Sequence, residues 1–172
     1  MKHAIRSRYD NSVLFECEVP ADLERGLHTR FVLEKATVAN ANLSGANLSG
    51  ADLRGAYLSG ADLSGADLRV AYLSGADLRG AVIDGKKVVS MRVFSGMYDY
   101  QIWAVLFEDG SRWLRMGCLW FSLEQWEEIG IRKSNLSEFP DDGSEKCEER
   151  VAAFEFAKAA ALRMNGGPDE ID

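Results

Sequence analysis

Between residues 36 and 85 the chain repeats a five-residue pattern in which an alanine comes first, an apolar residue stands third and a glycine usually closes the unit. The ten consecutive units read ATVAN, ANLSG, ANLSG, ADLRG, AYLSG, ADLSG, ADLRV, AYLSG, ADLRG and AVIDG. An α-helix repeats about every 3.6 residues and a strand about every 2, so neither places a five-residue pattern on one face. A solenoid with one side for each unit does, and the pattern predicts one.

The third residue of each unit is expected to fill the interior of the solenoid together with the opening alanine, because stacked layers present the same position to the same core. Apart from Val38 in the first unit, these interior residues are Leu43, Leu48, Leu53, Leu58, Leu63, Leu68, Leu73, Leu78 and Ile83. The glycine that closes most units suits a corner where the backbone needs a positive φ.

The tandem A(D/N)LxG motif resembles the pentapeptide repeat family. This resemblance implies a right-handed quadrilateral β-helix with four units in each coil, so the ten units make about two and a half coils. With strands about 4.8 Å apart the coils rise only about 12 Å. The implied register stacks outward residues in four columns. They are Asn42 with Asp62 and Val82, Asn47 with Asp67, Asp52 with Tyr72, and Thr37 with Tyr57 and Asp77.

The segment before the repeat is expected to cap the solenoid, since a bare end exposes strand edges and apolar side chains. Residues 12–19 read as a strand, and the proline at position 20 suits the start of a helix that continues to Lys35. The apolar residues of this helix at helical spacing are Leu23, Leu27, Phe31 and Val32.

The segment after the repeat predicts strands over 88–94, 98–107 and 112–119, with a hairpin turn at 108–111 between the last two. The four tryptophans of this segment favour a hydrophobic core over an interface.

Two helices are expected to follow these strands. The sequence S-x-x-Q at 122–125 is a capping box that opens a short helix, and a longer helix is predicted over 144–164. The apolar side of the longer helix is predicted to hold Val151, Phe154, Ala157, Ala161 and Leu162.

These elements give a mainly β fold with α caps (α+β), in which an N-terminal strand and helix and a C-terminal β-hairpin with helices flank the coil. The predicted domains are 1–35 (strand and capping helix), 36–85 (β-helix), 86–165 (hairpin and helical cap) and 166–172 (flexible tail). Their arrangement resembles pentapeptide repeat proteins encoded by tailed phages and prophages.

The net charge of −7 is unevenly distributed, with −2 in the repeat and −6 in residues 138–172. A nucleic-acid-binding protein normally shows a basic stripe, and none is visible, so no direct contact with nucleic acid is expected. The acidic surface favours a basic protein partner. No apolar run is long enough for a membrane span and no signal peptide is recognised, so a cytoplasmic protein of a bacterial host is expected.

Candidate chemistry is sparse. The chain has two histidines, three widely spaced cysteines and no phosphate-binding glycine motif. The repeated aspartates lie on a regular surface without a pocket, so no catalytic residue, metal site or cofactor is predicted and the protein is expected not to be an enzyme.

The functional hypothesis is a protein-binding module that inhibits a host nucleic-acid-handling or defence machine by partial DNA mimicry. The resemblance supplies this mechanism, since some pentapeptide repeat proteins bind DNA gyrase or topoisomerase IV in place of DNA, and CRISPR-Cas systems are a related type of target. The candidate binding surface consists of Asp52, Tyr57, Asp62, Asp67, Tyr72, Asp77, Glu145, Glu148 and Glu149. The alternative is a structural or assembly scaffold that acts as a homodimer. A homodimer is expected in either case, because the open end of a coil favours stacking on a second copy.

Overall fold

The computed structural model describes residues 1–134, 137 and 141–165. The chain divides into two compact units, Met1–Val89 and Ser90–Asp172. The predicted flexible tail at 166–172 lies outside the described residues.

The first unit begins with two antiparallel strands, β1 (Lys2–Arg6) and β2 (Val13–Glu18). The sequence predicted β2 but not β1, because β1 is short and charged at both ends. The helix α1 (His28–Val38) follows a short 3-10 turn, Arg25–Leu27, and does not begin at the proline of position 20 as predicted.

The late start of α1 has a physical reason in the residues before it. The Leu23 amide donates to the Pro20 carbonyl, which closes a turn. The buried His28 ring donates from Nε2 to the Leu23 carbonyl at 3.0 Å and holds that turn against the helix.

The same helix also runs further than predicted, so the first of the ten units is not part of the coil. Residues 36–38 are helical, and Val38 is 82% exposed instead of lying in the interior. The helix ends where Asn40 adopts a positive φ of 50°, the left-handed cap that asparagine tolerates. Thr37 donates to the Leu33 carbonyl one helical turn earlier and does not join the predicted column with Tyr57.

The remaining units form a β-helix-like coil in which residue i pairs with residue i+20. Parallel bridges join Asn47 to Asp67, Asp52 to Tyr72, Tyr57 to Asp77 and Asp62 to Val82. Four sides therefore complete one coil, and the predicted register is confirmed for these four pairs. On each side of the coil only one residue pair forms the β-bridge, and turns lie before and after it. The structure buries all nine interior residues from Leu43 to Ile83, at 7% exposure or less.

Hydrogen bonds explain why each position of the repeat has its residue type. In the first complete unit the Ala46 amide donates to the Leu43 carbonyl across a turn whose third residue, Gly45, has a φ of 70°. A positive φ at that place defines a type II turn and favours glycine. The side chain of Asn42 accepts from the Ser44 amide at 2.9 Å, the bond that asparagine and aspartate form at turns.

The N-terminal segment caps the first coil through backbone and side-chain bonds. The Asn47 amide donates to the Arg6 carbonyl and the Arg8 amide donates to the Gly45 carbonyl. From α1, Arg30 donates to the carbonyls of residues 54 and 55, and Glu34 accepts from the Tyr57 amide at 3.0 Å.

The coil ends in a hairpin between β3 (Val82–Ile83) and β4 (Lys86–Phe94). Asp84 and Gly85 both have positive φ, as a two-residue Asp-Gly hairpin turn requires. Strand β4 continues the chain from the first unit into the second.

In the second unit β5 (Ile102–Phe107), β6 (Arg112–Met116) and β7 (Leu119–Ser122) form an antiparallel meander. The prediction of one strand over 112–119 is wrong, because Gly117 turns with a φ of 60° and divides it in two. The predicted strand over 98–107 begins only at β5.

Two helices pack on this meander, α2 (Leu123–Ile129) and α3 (Glu145–Leu162). The predicted capping box of α2 is present in full. Trp126, Phe154 and Ala157 are buried between sheet and helices, whereas Leu162 is 57% exposed. The prediction placed Leu162 on the buried side, but it stands about 100° further round the helix than the buried Ala161.

Candidate functional site

At the second position of the repeat unit, two units carry a tyrosine in place of the usual asparagine or aspartate. Asparagine or aspartate at this position accepts a hydrogen bond from the backbone two residues later, as Asp62 does from Ser64 at 3.0 Å. Tyr57 and Tyr72 replace that residue and forgo this bond. The stability of the turn therefore does not account for either tyrosine.

Both tyrosines point outward, as predicted, and they are the large exposed aromatic residues of the coil. Tyr57 is 73% exposed and Tyr72 is 51% exposed. They belong to neighbouring columns, where Tyr72 bridges to Asp52 and Tyr57 bridges to Asp77. In the part of the chain that the structure describes, neither hydroxyl group has a hydrogen-bond partner. The phenol groups are thus available to another molecule.

Arg54 completes this surface, although it is not among the candidate residues that the sequence indicates. Its guanidinium donates to both carboxylate oxygens of Asp52 at 2.8 and 2.6 Å. It also lies 6.0 Å from the centre of the Tyr72 ring. We call Asp52, Arg54, Tyr57 and Tyr72 the tyrosine surface.

Three predicted acidic residues of the coil are neutralised by arginines two residues later. The pairs are Asp52 with Arg54, Asp67 with Arg69 and Asp77 with Arg79. Hydrogen bonds from these arginines lower the pKa of each aspartate, and Arg69 brings the pKa of Asp67 to about 2. The carboxylates remain charged, but each carries its own counterion.

Asp67 is moreover only 5% exposed under its arginine, so its carboxylate is not presented to solvent. Asp62 is followed by a serine two residues later and is the exposed acid of the candidate set on the coil that has no paired arginine at that spacing.

The remaining candidate acids, Glu145, Glu148 and Glu149, lie exposed on the first turns of α3. Arg132 bridges Glu148 and Asp141, each at 2.9 Å. These acids belong to the second unit and the coil acids belong to the first. The candidate residues thus form two separate groups in the chain.

A shallow cleft of about 350 Å³ opens between the end of α1 and the start of the coil. Its lining consists of Thr37, Asn40, Ala41, Asn42, Gly60, Ala61 and Asp62. One carboxylate, two amides and a hydroxyl group offer hydrogen bonds there, without an adjacent histidine or thiol in the lining. The cleft is suited to polar contact rather than to nucleophilic chemistry.

The two histidines have structural roles in the N-terminal cap. Their rings meet edge to face at 5.6 Å, and His3 Nε2 lies 3.2 Å from the Thr29 hydroxyl. Burial, and then the neighbouring His28, lower the pKa of His3. Among the described residues, no group of three or more histidine, cysteine or acidic side chains has a geometry that holds a metal ion. Within the same residues, no helix combines the length and the apolar character needed to cross a bilayer.

Comparison with known proteins identifies the repeat. Residues 32–69 match the family model of pentapeptide repeats, in eight copies. No curated protein and no solved structure matches the chain. The match starts within α1, and the coil continues beyond it to Ile83. Pentapeptide repeat proteins are commonly protein-interaction modules and are generally not enzymes.

Proposed function

We propose that this protein is a non-enzymatic protein-binding module whose partner contacts the tyrosine surface of the coil. The observation that carries the proposal is the exposure of Tyr57 and Tyr72 at positions where the coil gains a hydrogen bond from asparagine or aspartate. Tyrosine and arginine are enriched among the residues that contribute most to binding energy. Arg54, already fixed by Asp52, adds a guanidinium group beside the Tyr72 ring.

A rigid backbone supports this use of the surface. Each side of the coil is hydrogen-bonded to the side above or below it, as between the Leu53 amide and the Tyr72 carbonyl at 2.9 Å. Binding therefore does not require ordering of a flexible loop, which lowers the entropic cost of association. We also propose that the coil is right-handed, as the resemblance to pentapeptide repeats implies.

The test is affinity capture from a bacterial lysate by the tagged chain, followed by mass spectrometry. We expect a captured protein to be lost when Tyr57→Ser and Tyr72→Ser are combined, and to be retained with Asn42→Ser on another side of the coil. Unchanged thermal unfolding of the variants shows that the coil is intact. Equal capture by both variants would contradict the proposal.

A narrower hypothesis is partial DNA mimicry, in which the protein binds a topoisomerase, gyrase or CRISPR-Cas type target in place of DNA. The same hypothesis includes an origin in a phage or mobile element. The paired arginines of the coil weigh against mimicry there, and the exposed Glu145 on α3 favours it, whereas Glu148 is paired with Arg132. Mimicry predicts capture of a DNA-binding protein that high salt abolishes, since screening weakens exposed charges. It also predicts loss of that protein with Glu145→Gln and Glu148→Gln. Insensitivity to both changes would exclude mimicry while leaving the tyrosine surface in place.

A structural or assembly scaffold that acts as a homodimer is the alternative function. It predicts that capture yields only the protein itself or components of one larger assembly. The tyrosine variants would then leave the captured set unchanged.

A further inference from the structure

The outer side of α3 carries an apolar seam of a kind found where helices pair. Its exposed residues follow one another at alternating spacings of four and three, the spacing that keeps side chains on one stripe of a helix. They are Glu145, Glu149, Ala152, Phe156, Ala159 and Arg163. The opposite side of α3, which includes Phe154 and Ala161, is buried in the second unit. The helix therefore has a second contact side that its own unit leaves open.

Phe156 is the centre of this seam. It is 51% exposed, and its ring meets Phe94 edge to face at 5.2 Å, which fixes one side of the ring and leaves the other open. Ala152 and Ala159 stand one turn before and one turn after it. Small residues on both sides of a large one leave space in which the large residue of a second helix can pack beside it.

The charges at the two ends of the seam have opposite signs. Glu149 lies near the start of α3, and Arg163 caps its end with helical backbone angles. Within the described residues, neither side chain has an ion-pair or hydrogen-bond partner. Both stand seven residues from Phe156, on either side of it. A two-fold axis through Phe156 therefore exchanges them.

We propose that the outer side of α3 pairs antiparallel with the same side of a second copy of this chain. In that arrangement Phe156 faces its equivalent, Ala152 faces Ala159 of the second copy, and Glu149 faces Arg163 of the second copy twice. A parallel pairing would place like charges opposite each other, which is unfavourable. An isologous contact of this kind is the commonest form of homo-oligomer. The inference concerns another unit than the tyrosine surface and does not depend on the proposed function.

The length of α3 limits the size of the contact. The 18 residues of α3 span about 27 Å. A single helix pair of that length lies at the lower end of the range for specific interfaces, which begins at about 1,200 Å² of total buried surface. We therefore expect a reversible equilibrium between monomer and dimer rather than a permanent dimer.

Sedimentation velocity of the full chain over a range of concentrations tests the pairing. We expect a monomer–dimer equilibrium for the natural chain and a monomer for Phe156→Glu. Val38→Glu is the matched control, because it places the same charge on an apolar residue that is 82% exposed at the end of α1, and it should dimerise like the natural chain. Circular dichroism before each run establishes that the variants are folded.

Charge exchange tests the orientation of the two copies. Glu149→Arg alone and Arg163→Glu alone each place like charges across the seam, and each should weaken the dimer by about tenfold or more. An equimolar mixture of the two variants restores opposite charges at both ends and should dimerise at least as well as the natural chain. A natural chain that stays monomeric at all concentrations overturns the proposal, and so does a mixture that stays monomeric. Dimerisation that survives Phe156→Glu overturns it as well, and assigns the contact to another surface such as the end of the coil.

Discussion

The coil and the second unit bury their interiors in opposite ways. The coil fills its interior mainly with leucine, so Leu48 and Leu63, on different sides of the coil, hold the same place in their units and are each 1% exposed. The second unit instead fits unlike side chains together. There Trp126 is fully buried, its ring lies between Phe121 and Phe154, and its indole N–H donates to the Leu114 carbonyl at 3.0 Å. A repeated layer distributes stability evenly, whereas an irregular core concentrates it in a few residues.

The largest effect is expected at the centre of the irregular core. Trp126→Ala should lower the free energy of unfolding by about 4 kcal/mol, because it removes a fully buried ring and leaves a cavity. Trp126→Phe keeps most of the packing and removes the hydrogen bond to the Leu114 carbonyl, so it should cost about 2 kcal/mol. Urea unfolding followed by circular dichroism measures both values. Equal costs for the two variants would show that the hydrogen bond, and not the packing, is the main contribution.

The regular core should respond uniformly. Leu48→Ala and Leu63→Ala each remove a buried leucine from the coil, and each should cost about 3 kcal/mol. Because the two layers are alike, the two costs should agree within about 1 kcal/mol. The same urea experiment compares them. A several-fold difference between the two losses in free energy of unfolding would show that the layers of the coil are not equivalent.

The arginine pairs of the coil predict a dependence on pH. Arg69 holds the pKa of Asp67 at about 2 in the folded state, below the ordinary value of 3.8. The charged carboxylate therefore stabilises the fold at neutral pH, by about 2 kcal/mol. That contribution is lost as the pH falls through 3.8 toward 2.

Asp67→Asn should remove this part of the acid dependence and lower stability at neutral pH. Asp62→Asn is the control, since it lacks an arginine two residues later and should change neutral-pH stability by less than about 0.5 kcal/mol. Thermal unfolding at a series of pH values measures both. If Asp67→Asn loses as much stability at low pH as the natural chain does, Asp67 is not the source of this pH dependence.

The smallest predicted change in stability, and the only predicted gain, concerns the unit of the coil that ends in valine instead of glycine. Val70 occupies the glycine position of a turn with a φ of 50°, and a branched side chain is strained there. Val70→Gly should raise the free energy of unfolding by about 1 kcal/mol, after allowance for the greater freedom of glycine in the unfolded chain.

The reverse change serves as its control. Gly60 has a φ of 76°, and no atom lies within 4 Å of the position that a Cβ would take, so Gly60→Val introduces backbone strain without a clash. It should lower stability by about 1 kcal/mol. A loss of stability with Val70→Gly would show that the exposed valine contributes a contact that outweighs its strain.

The repeat could be predicted from the sequence because each of its positions obeys a local rule. The buried leucines and the outward tyrosines follow from the period of five, and the register follows from the four units in each coil that the resemblance to pentapeptide repeats implies. The end of α1 could not be predicted in the same way. Its last turn, at 36–38, has the composition of a repeat unit, and only the hydrogen bonds of the helix and its asparagine cap decide its conformation.

The charge state of the candidate surface was less accessible to sequence reasoning. The sequence places aspartates and arginines close together on the coil, which indicates a mixed surface, but it does not show that each Asp-Leu-Arg triplet forms an internal ion pair, as Asp77 and Arg79 do at 2.9 Å. The triplet itself was the available signal. Strand β1 was not predicted because it is short and charged at both ends. The division of β6 from β7 had a local signal, the glycine at position 117, whose positive φ turns the chain there.

Site-specific photo-crosslinking tests the central claim, that the tyrosine surface contacts a partner, most directly. A photoreactive phenylalanine analogue is placed at position 72 of the tagged chain, and in a matched protein at position 42 on another side of the coil. Both proteins are irradiated in a bacterial lysate. A covalent adduct with one partner protein is expected from position 72 and none from position 42. Adducts of equal yield from both positions, or an adduct from position 42 alone, would contradict the claim.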